Sequence, residues 1–288
     1  MNPPQQGNLF TRFTSNRYVS GAKDFLESNG LVAKFAFLIL AILIFIIALK
    51  AGATFLGWLF SPTHSPILID GMIDARQMMT IPQDPSNKNS IPILRSANDV
   101  DGLEFTWSVW LFINDYTYRQ GQYKHVFHKG NDNVDADGMV QPLNAPGMYL
   151  DKDTNNLLVV MNTFDNTKES ILVEDIPLNK WVCIQVRVIQ HQVDIYINGS
   201  LTKRHILNGV PKQNYSDVYV SLNGGFDGYT SDLRYFNYGI GTNKIQSIVS
   251  AGPNTNMVNK NMMDSLPHYL STRWYFAGSG DMYNPGPG

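Results

Sequence analysis

The 288-residue chain has a single cysteine, Cys183, which excludes an intramolecular disulfide framework and any multi-cysteine metal site. It has no excess of charge: 22 Lys and Arg stand against 24 Asp and Glu, without a long basic block. Clustered cations that displace counterions are therefore missing, and no nucleic-acid partner is expected. Glutamate is scarce, with Glu27, Glu104, Glu169 and Glu174 the only four. A retaining glycosidase needs two carboxyls about 5 Å apart, conventionally on a Glu-x-Asp-x-Glu strand. None of the four stands in that motif, and Glu174 and Asp175 are neighbours whose side chains leave opposite strand faces. A Gly-x-Ser-x-Gly elbow, a P-loop, Gly-x-Gly-x-x-Gly and His-Glu-x-x-His are also missing. The six histidines are scattered. His125 and His128, an odd number of residues apart on one strand, are expected on opposite faces, which argues against a metal pair. No repeat of 20 to 50 residues occurs, which disfavours a propeller or solenoid. The residues point away from an enzyme.

What the chain does have is one long apolar run. Residues 31–60 read LVAKFAFLILAILIFIIALKAGATFLGWLF, where only Lys34, Lys50, Gly52, Thr54 and Gly57 are not apolar. Apolar character on every face suits lipid rather than a soluble core. Residues 31–49 would span about 28 Å as a helix, close to the hydrocarbon thickness of a bilayer. That register puts Lys34 and Lys50 at the two interfaces and Trp58 in the aromatic belt. Arg12, Arg17, Lys23 and Lys34 precede the span and only Arg76 follows within about 20 residues, so the N-terminus is expected inside and the rest across the membrane. A short juxtamembrane helix is expected at 20–29, capped by Ser20.

After Pro62 the pattern changes to short alternating runs broken by turn residues, as in antiparallel sheets. FTWSVWLFIN (105–114) puts Phe105, Trp107, Val109, Leu111 and Ile113 on one face, while Trp110 and Phe112 make the other apolar too. Such a strand is buried on both sides. Further strands are expected at 124–128, 147–150, 157–163, 169–174, 181–189, 193–197, 201–206, 217–222, 229–236 and 269–276. Asn198-Gly199 signals a type I′ hairpin. One helix is expected, capped by Thr242 and stopped at Gly252-Pro253. The fold class is all-β, a two-sheet antiparallel jelly-roll sandwich preceded by a single transmembrane α-helix. The organisation reads as a tail and juxtamembrane helix (1–30), the span (31–60), a linker with the first strands (61–102), the jelly roll (103–276) and a C-terminal tail (277–288).

The series EFTWSVWLFI, HVFHKGN, PGMYLDKDTNNLLVVMN, IPLNKWVCIQVRV, VDIYINGSL and GGFDGYTSDLRYFNYGIGTNKIQSIVSAGP resembles the laminin-G-like branch of the concanavalin A-like lectin/glucanase superfamily over about residues 100–253. With FLESNGLVAKFAFLIL before it and YLSTRWYF after it, the whole is similar to membrane-anchored proteins of this family encoded by large DNA viruses of algae and protists. That resemblance implies a non-catalytic structural protein of the virion, a minor capsid or membrane component that ties an internal membrane to neighbouring capsid proteins. The lectin branch implies the alternative, a glycan-binding surface adhesion protein; glycoside hydrolysis is a further alternative that lacks its carboxylate motif.

Candidate site residues follow. Asn133, Asp135 and Asp137, with Gly138, have the alternating oxygen ligands of a calcium loop, although Asn144 stands where an EF-hand needs a glutamate. Related laminin-G-like domains bind calcium in loops, so calcium is the one cofactor the resemblance offers. The loop aromatics Tyr116, Tyr118, Tyr123, Phe226 and Tyr229 are candidates for stacking on sugar rings. Asn198 and Asn214 head glycosylation sequons if the domain crosses a secretory membrane. Cys183 reads as a small buried hydrophobe.

Overall fold

The computed structural model describes residues 30–59, 63–87, 89–96, 98–99 and 102–258. The helix expected at 20–29, the strand expected at 269–276 and the tail at 277–288 lie outside the described residues. Residues 1–61 and 62–288 form separate compact units.

In the first unit, helix α1 runs Leu31–Leu59 without a break. The helix continues beyond the membrane register expected at 31–49, and Lys50 lies inside it. The reason is the sequence beyond it, which holds no proline before Pro62; its two glycines each cost only about 1 kcal/mol in a helix. Thr54 Oγ1 donates back to the Lys50 carbonyl at 2.8 Å. Lys34–Leu59 is long and apolar enough to cross a membrane, the one such helix among the described residues. Trp58 stands in its last turn, 6.1 Å from Phe55.

The second unit is a sandwich of two antiparallel sheets. Its strands are β1 (Met72–Asp74), β2 (Met79–Ile81), β3 (Asn98–Asp99), β4 (Gly102–Asp115), β5 (Lys124–Lys129), β6 (Gly147–Leu150), β7 (Leu157–Met161), β8 (Glu169–Val173), β9 (Trp181–Ile189), β10 (Gln192–Ile197), β11 (Ser200–Ile206), β12 (Val218–Val220) and β13 (Asp227–Phe236). One sheet has the order β1-β13-β4-β9-β10-β11, with β3 on β4; the other has β2-β12-β5-β6-β7-β8. β1 and β2 thus belong one to each sheet, so the first strands expected within 61–102 contribute to the sandwich itself.

Period-2 alternation explains the layers. Phe105, Trp107, Val109, Leu111 and Ile113 of β4 point between the sheets, where Trp107 packs 5.0 Å from both Phe127 and Tyr235. Trp110 points the other way, into a second cluster with Cys183, Tyr196 and Phe236. Helix α2 (Thr242–Ala251) closes that cluster with Ile245 and Ile248. Thr242 is its first residue rather than its cap; Gly241 holds the capping position without a side-chain bond. The outer face of the other sheet is covered by residues 131–146, which bring Met139 onto Tyr149, Leu158 and Val160. The hairpin between β10 and β11 has Asn198 at φ 51° and Gly199 at φ 81°, as a type I′ turn requires.

Candidate functional site

The aromatics singled out in the sequence do not form one platform. Phe226 is fully buried in the core, because the turn before β13 folds it inward beneath Ala75, whose carbonyl accepts its N–H at 3.1 Å. This corrects its reading as an exposed stacking residue. The other four are half-buried, and three carry a cation on the ring: Lys124 over Tyr116 at 5.1 Å, Arg76 over Tyr118 at 5.0 Å and Lys152 over Tyr123 at 4.9 Å. A ring face already covered by a cation is not open to a sugar. Tyr116 and Tyr118 are tied further by their hydroxyls, which donate to the carbonyls of Asn156 (3.2 Å) and Gly224 (3.0 Å).

Tyr229 is placed differently. It forms one wall of an open, polar pocket of ≈ 350 Å³ whose other residues are Asp74, Arg76, Asn114, Asp227 and Gly228. Three elements build it. The end of β1 supplies Asp74 and the following turn Arg76; the end of β4 supplies Asn114; the start of β13 supplies Asp227 and Tyr229. Arg76 Nη2 pairs with Asp227 Oδ1 at 2.8 Å, and Asn114 Nδ2 donates to the same oxygen at 3.4 Å. Asp74 Oδ1 accepts the Arg76 N–H at 2.9 Å. Beside the pocket, the hydroxyl and then the N–H of Thr117 hold the Asp115 carboxyl below its ordinary range. Gly228 is required here: its φ is 150°, and a Cβ would strike the Phe112 carbonyl. Only Tyr229 of this set was legible in the sequence. The GGFDGY turn was a signal for Asp227, but Asn114 lies 113 residues before Asp227 and Asp74 and Arg76 lie further still, so no local spacing joins them.

A second groove of ≈ 390 Å³ opens at the residues around 83–95 and 213–217. Its floor is Phe105, Trp107 and Tyr235, and Arg95, Lys129, Asp84 and Asp217 stand at its polar edge. The Lys129 ammonium donates to the Ser216 carbonyl at 2.5 Å, and burial brings its pKa down to about 8. Its charges are internally matched: two cations face two carboxylates, and Asp217 already accepts the Gln83 N–H at 2.8 Å.

The calcium loop is an Asx turn. Asp135 Oδ1 accepts from the N–H groups of Asp137 (3.0 Å) and Met139 (2.8 Å), and Oδ2 accepts from Gln141 Nε2 at 3.1 Å. Asp137 pairs with the Lys152 ammonium at 2.7 Å. A lysine thus supplies the positive charge that a calcium ion would bring, and the arrangement of Asn133, Asp135 and Asp137 does not fit the metal. Among the described residues no three His, Cys, Asp or Glu side chains converge as a metal site.

His125 and His128 meet, against expectation. A bulge at Val126 shifts the register between β5 and β6, so that the two rings share a face. The chain of hydrogen bonds fixes both tautomers. The Leu222 N–H donates to His125 Nδ1 (3.0 Å); His125 Nε2–H then donates to His128 Nδ1 (2.7 Å), and His128 Nε2–H to the Asn131 carbonyl (2.6 Å). Both rings are neutral. Burial and then the neighbouring His128 hold His125 well below the ordinary histidine range, and burial brings His128 down to about 4. All four ring nitrogens are engaged, so the pair is a structural clasp.

The two sequons differ. Asn198 is exposed on its hairpin, with Oδ1 accepting the Cys183 N–H at 2.9 Å. Asn214 donates its amide to the Lys129 carbonyl at 3.0 Å and accepts from Ser216 N at 3.1 Å, which commits the nitrogen that glycosylation would use.

The sequence model of the concanavalin A-like lectin/glucanases superfamily matches residues 86–246, more than half of the chain. The chain belongs to this superfamily. Both the two-sheet sandwich and the strand-rich residues 102–236 are accounted for by that membership. No curated protein matches the chain. Similar solved structures include the binding domain of botulinum neurotoxin serotype G, 17% identical with a TM-score of 0.41, covering 52% of this chain and 36% of that one. The ligand binding domain of serotype D, in complex with N-acetylneuraminic acid, is 12% identical with a TM-score of 0.41, covering 52% and 37%. The binding domain of botulinum neurotoxin DC in complex with rat synaptotagmin II is 16% identical with a TM-score of 0.40, covering 52% and 36%. This chain spans little more than a third of their length, and likenesses this distant carry no argument about ligands.

Proposed function

We propose that the chain is a membrane-tethered, non-catalytic recognition module whose pocket at Asp74, Arg76, Asn114, Asp227 and Tyr229 takes a hydroxyl-rich ligand, a glycan. The pocket itself supports this reading. It sets a guanidinium and an amide beside two carboxylates, so donors and acceptors alternate over a short distance next to an aromatic wall. Vicinal hydroxyls both donate and accept, and the apolar face of a sugar ring suits the Tyr229 ring. Catalysis has less support, because Asp227 is engaged in an ion pair and Asp74 in a turn, rather than both being aimed across a gap at one bond. The tether is α1, by its length and composition, with the N-terminus inside by the distribution of basic residues. The glycan would be read on whichever surface the protein occupies. The sequence resemblance implies a virion and neighbouring capsid proteins, and the protein content of purified particles tests that placement.

The direct test is a glycan array probed with the full chain in detergent. Binding to a defined glycan class should fall by roughly tenfold in Asp227→Ala and in Tyr229→Ala, as expected for loss of a charge-assisted hydrogen bond or a stacking wall. Far-ultraviolet circular dichroism should stay unchanged. A chain that binds no glycan, or variants that bind as well as the parent, would refute the assignment.

A further inference from the structure

The groove of ≈ 390 Å³ is lined by residues of both sheets. One sheet supplies its aromatic floor, Phe105 and Trp107 of β4 and Tyr235 of β13; the Tyr235 ring centroid lies 5.0 Å from that of Trp107 and 6.4 Å from that of Phe105. The other sheet supplies Lys129, the last residue of β5. Hydrogen bonds between distant segments tie the walls together. Asp217 accepts the Gln83 N–H at 2.8 Å, Gln83 Oε1 accepts the Ile93 N–H at 2.9 Å, and Asn214 Nδ2 donates to the Lys129 carbonyl at 3.0 Å. The groove is therefore preformed, and its volume falls in the range of small-molecule sites, about 300–1,000 Å³.

Two buried polar side chains line it with donors left over. Tyr235 is 3% exposed, and among the described residues nothing bonds its hydroxyl; burial alone pushes the phenol up, so it stays a neutral O–H donor. Lys129 is 8% exposed, and its ammonium spends one of three N–H bonds, on the Ser216 carbonyl. A buried donor without an acceptor is unfavourable, so both call for an oxygen. Water would meet that need but would leave three aromatic rings wetted, which favours an apolar body over them. The groove's cations, Arg95 and Lys129, are equalled by Asp84 and Asp217, so no net charge draws in an ion of either sign. We propose that this groove is a binding site for a small uncharged molecule, an apolar ring system bearing a carbonyl, with the ring on the Phe105, Trp107 and Tyr235 floor and the oxygen on the donors of Tyr235 and Lys129. The site is separate from the pocket at Asp227 and does not rest on the glycan reading.

Naphthaldehyde tests this, because the Lys129 amine can record where it binds. The amine adds to the aldehyde carbon, water leaves, and sodium cyanoborohydride delivers hydride to the imine, giving a stable secondary amine. The full chain, at fixed detergent concentration and pH 8, is treated with limiting aldehyde and mapped by peptide mass spectrometry. Buried Lys129 should be labelled roughly tenfold faster than exposed Lys203, through proximity in the bound complex. Acetonaphthone, the corresponding ketone, should compete for labelling at 129 and leave 203 unchanged, while naphthoate, its carboxylate analogue, should compete poorly. Tyr235→Phe keeps the ring and should raise the ketone concentration for half-suppression about fivefold, as expected for one lost hydrogen bond. If Lys129 is labelled no faster than Lys203, or the ketone leaves its labelling unchanged, the groove holds water alone and the proposal is overturned. Naphthoate competing as well as the ketone overturns the uncharged class, and an unchanged half-suppression in Tyr235→Phe overturns the role of the phenol.

Discussion

Acid should loosen the sandwich at the His125–His128 clasp well before carboxylates titrate. In the folded chain His128 is brought down to about 4 from an ordinary value near 6.5, mainly by burial. A depressed histidine excludes a proton that the unfolded chain binds, so its contribution is fully present above pH 6.5 and is lost as pH falls toward 4. With each tenfold change in proton affinity worth about 1.4 kcal/mol, the move from 6.5 to about 4 amounts to about 3 kcal/mol over the whole window and about 2 kcal/mol by pH 5. His125, displaced in the same direction, adds to this. Against a typical total of about 5–15 kcal/mol, the effect is large. Urea unfolding of the full chain in detergent, followed by tryptophan fluorescence at pH 7.5, 6, 5 and 4.5, measures it. The shifted carboxyls move down from ordinary values near 3.8, so they contribute little above pH 4.5. Stability should fall steadily from pH 6.5 to 4.5 in the parent and less steeply in His128→Gln, which keeps one donor and one acceptor but cannot gain a charge. A flat profile in the parent, or an unchanged slope in the variant, would refute the argument.

Other perturbations test other parts of the fold. Asp194 is buried and accepts from Arg187 Nη2 and Arg204 Nε at 2.7 Å each; burial opposes its charge, but these bonds and Gln192 hold it below its ordinary range. Asp194→Ala strands Arg187 and should lower unfolding free energy by about 3 kcal/mol in urea titrations, with Asp194→Asn milder. Gly228→Ala meets the Phe112 carbonyl at a left-handed backbone position and should cost about 2 kcal/mol of stability while abolishing glycan binding. Burial pushes the Cys183 thiol up to about 12, so a thiol reagent at pH 8 should leave the native protein unmodified and label it within minutes of unfolding.

Legibility followed the range of the interaction. Strand β4 was readable on both faces because its residues alternate within one segment, and the Asn198-Gly199 hairpin because two adjacent residues settle a turn. The His125–His128 clasp was not readable. Simple alternation separates the rings, and the bulge at Val126 exists only because β6 pairs across it. Phe226 was not readable for a related reason: a Gly-rich turn reads as exposed, but its direction depends on the backbone of Ala75, just after β1, to which it bonds. The calcium loop had the right residue types at the right spacing. Lys152, 15 residues beyond Asp137, supplies the charge instead.

The sequence by itself determined two segments of different character: thirty residues nearly free of polar groups, and a following stretch whose alternation and turns specify paired strands around a core. These are local properties, set by side-chain transfer and by two-residue or four-residue periodicity. Tertiary structure alone decided where chemistry collects. Asp74, Asn114, Asp227 and Tyr229 come from three strands, and Arg76 from the turn after the first of them, brought together by β1-β13-β4 pairing, and the distant loops 162–168 and 207–217 are joined by backbone hydrogen bonds. Strand pairing is a long-range contact, and only the closed sandwich fixes which side chains share an edge.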